Sequence, residues 1–328
     1  MGDLPPELQH RSFKRTDGGG GPNLRLLRLH PDLPSNTVTA YVFNKFVHPD
    51  EDRFITPREA ARLQGFPDDH VFAGPLTATQ HQVGNAVPPP LAKALGTSLM
   101  EAIGASSNKA VGLFSGAGGL DLGLSRAGFD IGACVEIDPF SCETLRASGS
   151  EWHVVERDIQ LVPSEELMEL TATDEGETAL VAGGTPCQPF SNAGKQKGID
   201  DPRGILFQQF VRVVGDLKPR AFLLENVPNI MSVNKGASFR AVLAGLEETG
   251  YEISYKILNA EEYGIPQFRR RIFFLGSRDS EELLFPSPTH GVKEEGLRLF
   301  DPNGNSRQKA MHTAGEAFEN LPPASFTV

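Results

Sequence analysis

The feature that most restricts the fold is a series of short apolar runs between residues 110 and 227, each followed by a helical pattern. AVGLF (110–114), IGACVEID (131–138), TALVAGG (178–184) and RAFLLENV (220–227) are apolar for most of their length and do not alternate with polar residues. Strands of that kind are buried on both faces, which requires a mostly parallel sheet covered by helices on each side. GLDLGLSRAG (119–128), PFSCETLRAS (139–148), RGILFQQFVRVVGDL (203–217) and SFRAVLAGLEETG (238–250) supply the helices. The expected class is therefore α/β, a Rossmann-like doubly wound sheet, with its ligand at the carboxyl ends of the strands.

Upstream of this repeat the text changes. KRTDGGGGPN (14–23) is a flexible junction, because four consecutive glycines neither hold a helix nor pack a strand. TPREAARLQGFPD (56–68) reads as a capped helix, with Thr56 as N-cap, Pro57 at the first helical position, Glu59 completing a capping box and Gly65 at the stop. PPPLAKALGTSLMEAI (88–103) places Leu91, Leu95, Leu99 and Ile103 on one buried stripe. Residues 105–110 of the following GASSNKA read as a linker, and after Gly276 the chain turns irregular, rich in Pro, Gly and Glu.

Composition removes some functions. A formal net charge of −11 argues against non-specific coating of nucleic acid, while leaving room for a local basic cleft. The three cysteines, Cys134, Cys142 and Cys187, include no C-x-x-C pair, so neither a disulfide framework nor a metal site is expected. No segment approaches the roughly 18 uninterrupted apolar residues of a membrane span, and the reading places the protein in the cytoplasm.

The first strand runs into FSGAGGLDLG, where glycines permit a tight turn and close approach to a ligand. Asp121 stands where a dinucleotide fingerprint would have its third glycine, which disfavours a pyrophosphate. Glu136 ends the second strand, placed to bind ribose hydroxyls, and Asp158 can accept from an adenine amino group. An adenosine without a pyrophosphate points to S-adenosylmethionine. Cys187 lies in GGTPCQPFSNAGKQKG (183–198), between prolines in a loop of small and polar residues, a setting for a nucleophile rather than for packing. Glu225 ends a further apolar strand, where partial desolvation suits a carboxyl group to general acid work.

Together, LFSGAGGLDLGL, GGTPCQPFSNAGKQKGIDDPRG, LLENV, GIPQFRRRIFFLG, TPREAARLQGFPD and QVGNAVPPPLAKAL resemble the principal blocks of the DNA (cytosine-5) methyltransferases, over most of residues 34–276. The resemblance implies a methyltransferase fold, S-adenosylmethionine as cofactor and double-stranded DNA as partner. It implies that the Cys187 thiolate adds to carbon 6 of a flipped-out cytosine and that Glu225 protonates ring nitrogen 3. Carbon 5 then takes the methyl group. Arg269 and Arg271, alternate residues of a strand beginning at QFRRRIFF, are expected on one face, holding the base and the active-site carboxylate.

By the same resemblance the cofactor pocket takes Phe114, Gly116, Gly118, Gly119 and Leu120 from the glycine turn. It takes Glu136, Ile137, Asp158 and Ile159 from the next two strand ends, Gly183 and Pro186 from the cysteine loop, and Asn85 and Val87 from the N-terminal block. Gln188, Ser191, Lys195, Lys197 and Arg203 are expected on DNA, in a mobile lid spanning 188–203.

Two departures from the family pattern stand out. QVGNAVPPP precedes the cofactor strand instead of following it, so the motif order is circularly permuted, with residues 34–104 joined by the linker 105–110 to a catalytic domain at 111–276. The target-recognition region is short or missing, with residues 277–328 as its approach and 1–33 as its exit, so a separate recognition subunit is a further expected partner. A prokaryotic, nucleoid-associated modification or defence enzyme fits these features. A transfer RNA cytosine methyltransferase and a non-catalytic DNA-binding or regulatory subunit stay open.

Overall fold

The computed structural model describes residues 26–40, 45–104, 107–149, 151–185, 202–291 and 309–321. Short strands β1 (Leu27–Arg28) and β2 (Phe46–Val47) pair in parallel ahead of three helices, α1 (Pro57–Leu63), α2 (Leu76–Asn85) and α3 (Pro89–Ile103). Helix α1 carries the expected reciprocal cap: the Thr56 side chain accepts from Glu59 N, and Glu59 accepts from Thr56 N at 2.6 Å. Gly65 follows at φ +81°, the left-handed value that ends the helix. In α3 the stripe Leu91, Leu95, Leu99 and Ile103 is fully buried.

The alternating region gives β3 (Lys109–Leu113), α4 (Gly119–Arg126), β4 (Asp130–Glu136), α5 (Pro139–Ser148), β5 (His153–Glu156), α6 (Ser164–Thr171), β6 (Leu180–Gly184), α7 (Pro202–Leu217), β7 (Ala221–Asn226) and α8 (Ala237–Glu247). Two further strands, β8 (Glu252–Asn259) and β9 (Arg270–Ser277), complete a seven-stranded sheet in the order β5-β4-β3-β6-β7-β9-β8. The pairings from β5 through β7 are parallel, and β9 runs antiparallel to both β7 and β8.

Side chains alternate across this sheet as pleating demands. Ala110, Leu223 and Leu180 face a layer built by α3, α4 and α5, while Val111, Leu113, Phe222 and Leu224 face α6, α7 and α8. Strand order reverses between β3 and β6: the chain leaves β3 for β4 on one side and later returns to β6 on the other. Such a switch point opens a crevice at the carboxyl ends of the two strands.

A third apolar cluster joins β2, α1 and α2 to the glycine turn through Ala117 and to α9 (Ala314–Phe318) through Ala314. Short strands β10 (His290–Gly291) and β11 (Lys309–Ala310) precede α9. Ala314 N donates to Leu33 O and Gly315 N to Pro31 O, both at 2.9 Å, so the segments at 26–33 and 309–321 lie side by side. No helix among the described residues is long and apolar enough to cross a membrane.

Candidate active site

The glycine turn between β3 and α4 is built from left-handed backbone at Phe114 (φ +57°), Gly116 (+54°) and Gly118 (+75°). Gly119 meets a different demand. A Cβ there would lie 2.3 Å from the carbonyl oxygen of Val87, so only glycine lets the segment Asn85–Val87 close onto the turn. The N-terminal block thereby becomes one wall of a cavity of about 1210 Å³ at the switch point.

Glu136, at the end of β4, is held toward that cavity by three backbone donors: Gly116 N at 2.7 Å, Ile137 N at 2.8 Å and Asp138 N at 2.9 Å. Asp158 caps the turn after β5 by accepting from Gln160 N at 3.0 Å. Ile137 and Phe140 remain 62% and 38% exposed on the cavity rim, an apolar surface that a purine would cover. A Cβ at Gly116 would touch nothing within 4 Å, which leaves the turn open to a ligand. These features fit an adenosine moiety without a pyrophosphate.

At the other end of the cavity, β7 presents Glu225 and β9 presents Arg271, whose Nε lies 2.8 Å from Glu225 Oε1. Glu225 is 9% exposed. Burial raises its proton affinity above the ordinary carboxylate range, opposed by the cations Arg271 and Arg269. Gly184 of β6 pairs with Glu225 in register, and a Cβ there would stand 2.9 Å from Glu225 Oε2. Asn226 steadies the strand end, donating to Thr185 O at 3.3 Å and accepting from Val227 N at 2.8 Å.

Of the residues singled out from the sequence, Phe114, Gly116, Gly119, Leu120, Glu136, Ile137, Asp158, Ile159, Asn85, Val87, Glu225 and Arg271 line this cavity. Gly118 and Gly183 do not. A Cβ on Gly118 would meet Leu145 and Trp152, and one on Gly183 would meet the Leu113 carbonyl, so both serve turn and sheet packing. At the end of β6 it is Gly184 and Thr185 that reach the cavity.

Arg269 also differs from the expectation. Alternation holds, since Arg270 is exposed and both neighbours bear on Glu225, but only Arg271 pairs with the carboxylate. Arg269 is fully buried and donates to the carbonyls of Val38 (2.9 Å), Gly84 (3.0 Å) and Ala86 (2.9 Å). Strand β9 starts at Arg270, three residues later than QFRRRIFF suggested, because Gln267 and Phe268 pair with the N-terminal block instead. Gln267 donates to Leu63 O and accepts from Val38 N, and Phe268 N donates to Ser35 O.

Pro186, Cys187, Gln188, Ser191, Lys195 and Lys197 lie outside the described residues, as does the side chain of Arg203 in α7. Cys134 and Cys142 are buried; burial pushes the Cys142 thiol up to about 12 and that of Cys134 well above its ordinary value, so neither is poised as a thiolate. Sequence reasoning missed Phe140 and the cavity-facing part of α2, Thr77, Ala78 and Gln82. Helix α2 has a weak apolar stripe, and its register became visible only through its packing.

The family model of the C-5 cytosine-specific DNA methylases matches residues 9–101 and 109–320. Type II methyltransferase M.AquIA of Picosynechococcus sp. is 41% identical over 226 residues, which cover 66% of this chain and 90% of that protein. Type II methyltransferase M1.HphI of Haemophilus parahaemolyticus is 41% identical over 182 residues, 55% of this chain and 48% of that protein. The chain thus spans nearly all of the first relative and about half the length of the second. Among solved structures, a DNA modification methyltransferase encoded within a prophage of E. coli superposes with a TM-score of 0.51 at 31% identity, over 66% of this chain and 56% of that one. Matched over most of its length, the chain belongs to the C-5 cytosine-specific DNA methylase family.

Proposed function

We propose that the protein methylates carbon 5 of cytosine in double-stranded DNA as the modification enzyme of a restriction-modification system. The observation that carries the reading is the Glu225–Arg271 pair at one end of a cavity whose other end is formed by the glycine turn and Glu136. Bound S-adenosylmethionine supplies an electrophilic methyl group. Glu136, Asp158 and the Ile137–Phe140 rim hold its adenosine, and the turn at 114–119 together with Asn85 and Val87 encloses the remainder.

The chain's own residues prepare the base. A cytosine swung out of the duplex, at a cost of a few kcal/mol, enters beside Glu225 and Arg271. The Cys187 thiolate adds to carbon 6, forming a carbon–sulfur bond and pushing an electron pair toward ring nitrogen 3. Glu225 in its protonated form delivers a proton there, and Arg271 balances the charge left on the carboxylate. Carbon 5 is now nucleophilic and accepts the methyl group. Removal of the carbon 5 proton by a base expels the thiolate and restores the ring, and the nitrogen 3 proton returns to the Glu225 carboxylate, leaving neutral 5-methylcytosine and the acid form of Glu225.

We read the motif order as a circular permutation. Helix α3 precedes β3 in the chain and packs against α4, where a Cβ on Gly123 would lie 2.3 Å from Ala92 Cβ. The packing of α3 on α4 supports reading the blocks at 34–104 as partners of the cofactor strand despite their preceding it in the chain. Residues 1–33 and 277–328 border the target-recognition region, and the contact of Leu33 with Ala314 brings the two borders together. Base reading resides on these segments or on a separate polypeptide.

Base-resolution methylation sequencing of mixed-sequence DNA, incubated with the chain and S-adenosylmethionine, tests the function. Methylcytosine at one recurring sequence supports the reading and assigns recognition to this chain. Cofactor binding without methylation assigns recognition elsewhere, and methylation of transfer RNA alone overturns the DNA assignment.

A further inference from the structure

Strand β5 ends the described seven-stranded sheet and pairs there only with β4, so the turn that follows it has no strand on its far side to hold it. That turn, Ile159–Leu161 capped by Asp158, carries two residues of the cavity wall, Asp158 and Ile159. Its own packing is thin: Ile159 and Val162 are buried, whereas Gln160 and Leu161 are exposed. A single helical turn also ends with carbonyl oxygens that need partners from elsewhere.

Arg212 of α7 supplies them. Its Nη2 donates to Ile159 O and Val162 O, both at 3.1 Å, and its Nη1 donates to Ser164 Oγ at 2.7 Å. The guanidinium is held in turn by α7 itself. Its Nε donates to Gln209 Oε1 at 2.7 Å, and Asp216 Oδ2 lies 3.5 Å from Nη1 while accepting from Ser164 Oγ at 2.6 Å. Each nitrogen of the planar fork therefore has a partner, a geometry that fixes direction as well as distance. An arginine that only solvated the outer face of an amphipathic helix would need no bond to the turn. The same helix reaches the cavity through Leu206.

We propose that Arg212 is a positioning residue for purine selection, acting through the backbone of the turn to hold Asp158 where it accepts from an adenine amino group. The inference rests on the reading of the cavity as an S-adenosylmethionine site. Arg212 is not part of the cavity wall, so the recognition belongs to Asp158 and the placement to Arg212. Asp158 is tied to the turn by Gln160 N, which donates to its Oδ1 at 3.0 Å, so a shift of the turn carries the carboxylate with it. The apolar rim at Ile137 and Phe140 stands on the separate connection from β4 to α5. Loosening the turn should therefore cost discrimination between purines while the apolar cover on the ring persists.

The test is calorimetric titration of the full chain with S-adenosylhomocysteine and, separately, S-inosylhomocysteine, whose purine carries an oxo group in place of the amino group. The unaltered protein is expected to bind the first roughly tenfold or more tightly, because the oxo group offers Asp158 no donor. In Arg212→Met, which keeps the stem and removes the fork, that ratio is expected to fall roughly threefold or more, through weaker binding of the amino ligand. An unchanged ratio in the folded variant overturns the proposal. Equal weakening of both ligands counts as such a result, since a purely structural role would move both together. If Arg212→Met does not fold, Gln209→Ala decides by the same comparison, because it frees the Nε donor at a half-buried position: a lowered ratio supports the proposal and an unchanged one overturns it. Failure of the unaltered chain to bind either ligand refutes the cofactor-site reading itself, an outcome distinct from a ratio that the variant leaves unchanged.

Discussion

Arg269 offers a quantitative test of how the N-terminal block is joined to the catalytic half. Its guanidinium is fully buried and bonded to three carbonyls of residues 38, 84 and 86. Burial and the neighbouring Arg271 push its pKa down and Glu225 opposes them, but the carbonyl acceptors hold it as a cation. Replacement by Met keeps the length and removes every donor. Ala86 O still receives the Gln64 amide at 2.5 Å, so the loss falls chiefly on Val38 and Gly84. Hydrogen bonds from a charged group contribute about 1.5–3 kcal/mol each, giving a gross loss near 3–6 kcal/mol for two. Relief from burying a cation returns part of this, for a net destabilisation of about 2–4 kcal/mol. Urea unfolding at constant m-value measures it directly. Arg269→Lys should recover less than half, because one ammonium cannot span three acceptors set around a planar fork. A midpoint for Arg269→Met within about 0.5 kcal/mol of the unaltered protein would refute the assignment, because surface changes produce shifts of that size.

Glu225→Gln should lower kcat by roughly 100- to 10,000-fold while leaving cofactor affinity within a small factor. The raised proton affinity of Glu225 also has a sign: the acid form persists to higher pH than for an ordinary carboxyl and is lost as pH rises, so turnover should decline on the alkaline side. Single-turnover rates from pH 5 to 9 check this, and persistence of the same decline in the Gln variant would assign it to another group. Cys187→Ser should abolish methylation with cofactor binding retained, and trapping with a 5-fluorocytosine duplex should give a mass adduct only for the unaltered protein. Thr56→Ala removes one arm of the α1 capping box and should cost about 1 kcal/mol in thermal unfolding. Gly119→Ala forces a methyl group against the Val87 carbonyl and should weaken S-adenosylmethionine binding in calorimetry.

Much of this architecture was legible where local chemistry and burial agree. The non-alternating runs at 110–114 and 220–227 became β3 and β7 because a sheet covered on both faces leaves no polar side. The Thr56–Glu59 cap fixed the start of α1. Helix α6 and strand β8 were not anticipated. SEELMELT is short, and β8 is an edge strand with much of its surface exposed, so EISYKILN shows no continuous buried pattern. In the site, Glu136 and Glu225 could be placed because both end strands, whereas Gly118 and Gly183 could not be separated from the cavity-facing glycines. A glycine shows that space is scarce, and only packing shows on which side.

Arg269 exposes the same limit from a different direction. Alternation along QFRRRIFF correctly put Arg269 and Arg271 on one face, yet it could not distinguish a cation facing substrate from one facing backbone. The difference comes from the N-terminal block, which approaches Gln267–Arg269 with a row of carbonyls and stops short of Arg271. The segment Arg269–Arg271 therefore does two jobs: the cation just before β9 fastens the wall that carries Asn85 and Val87, and the cation inside β9 confronts Glu225. Since one wall of the cavity and its acid end hang on residues two apart, loosening Arg269 should disturb cofactor affinity and the proton affinity of Glu225 together. A variant that lost only one of them would show that the wall and the acid are set independently.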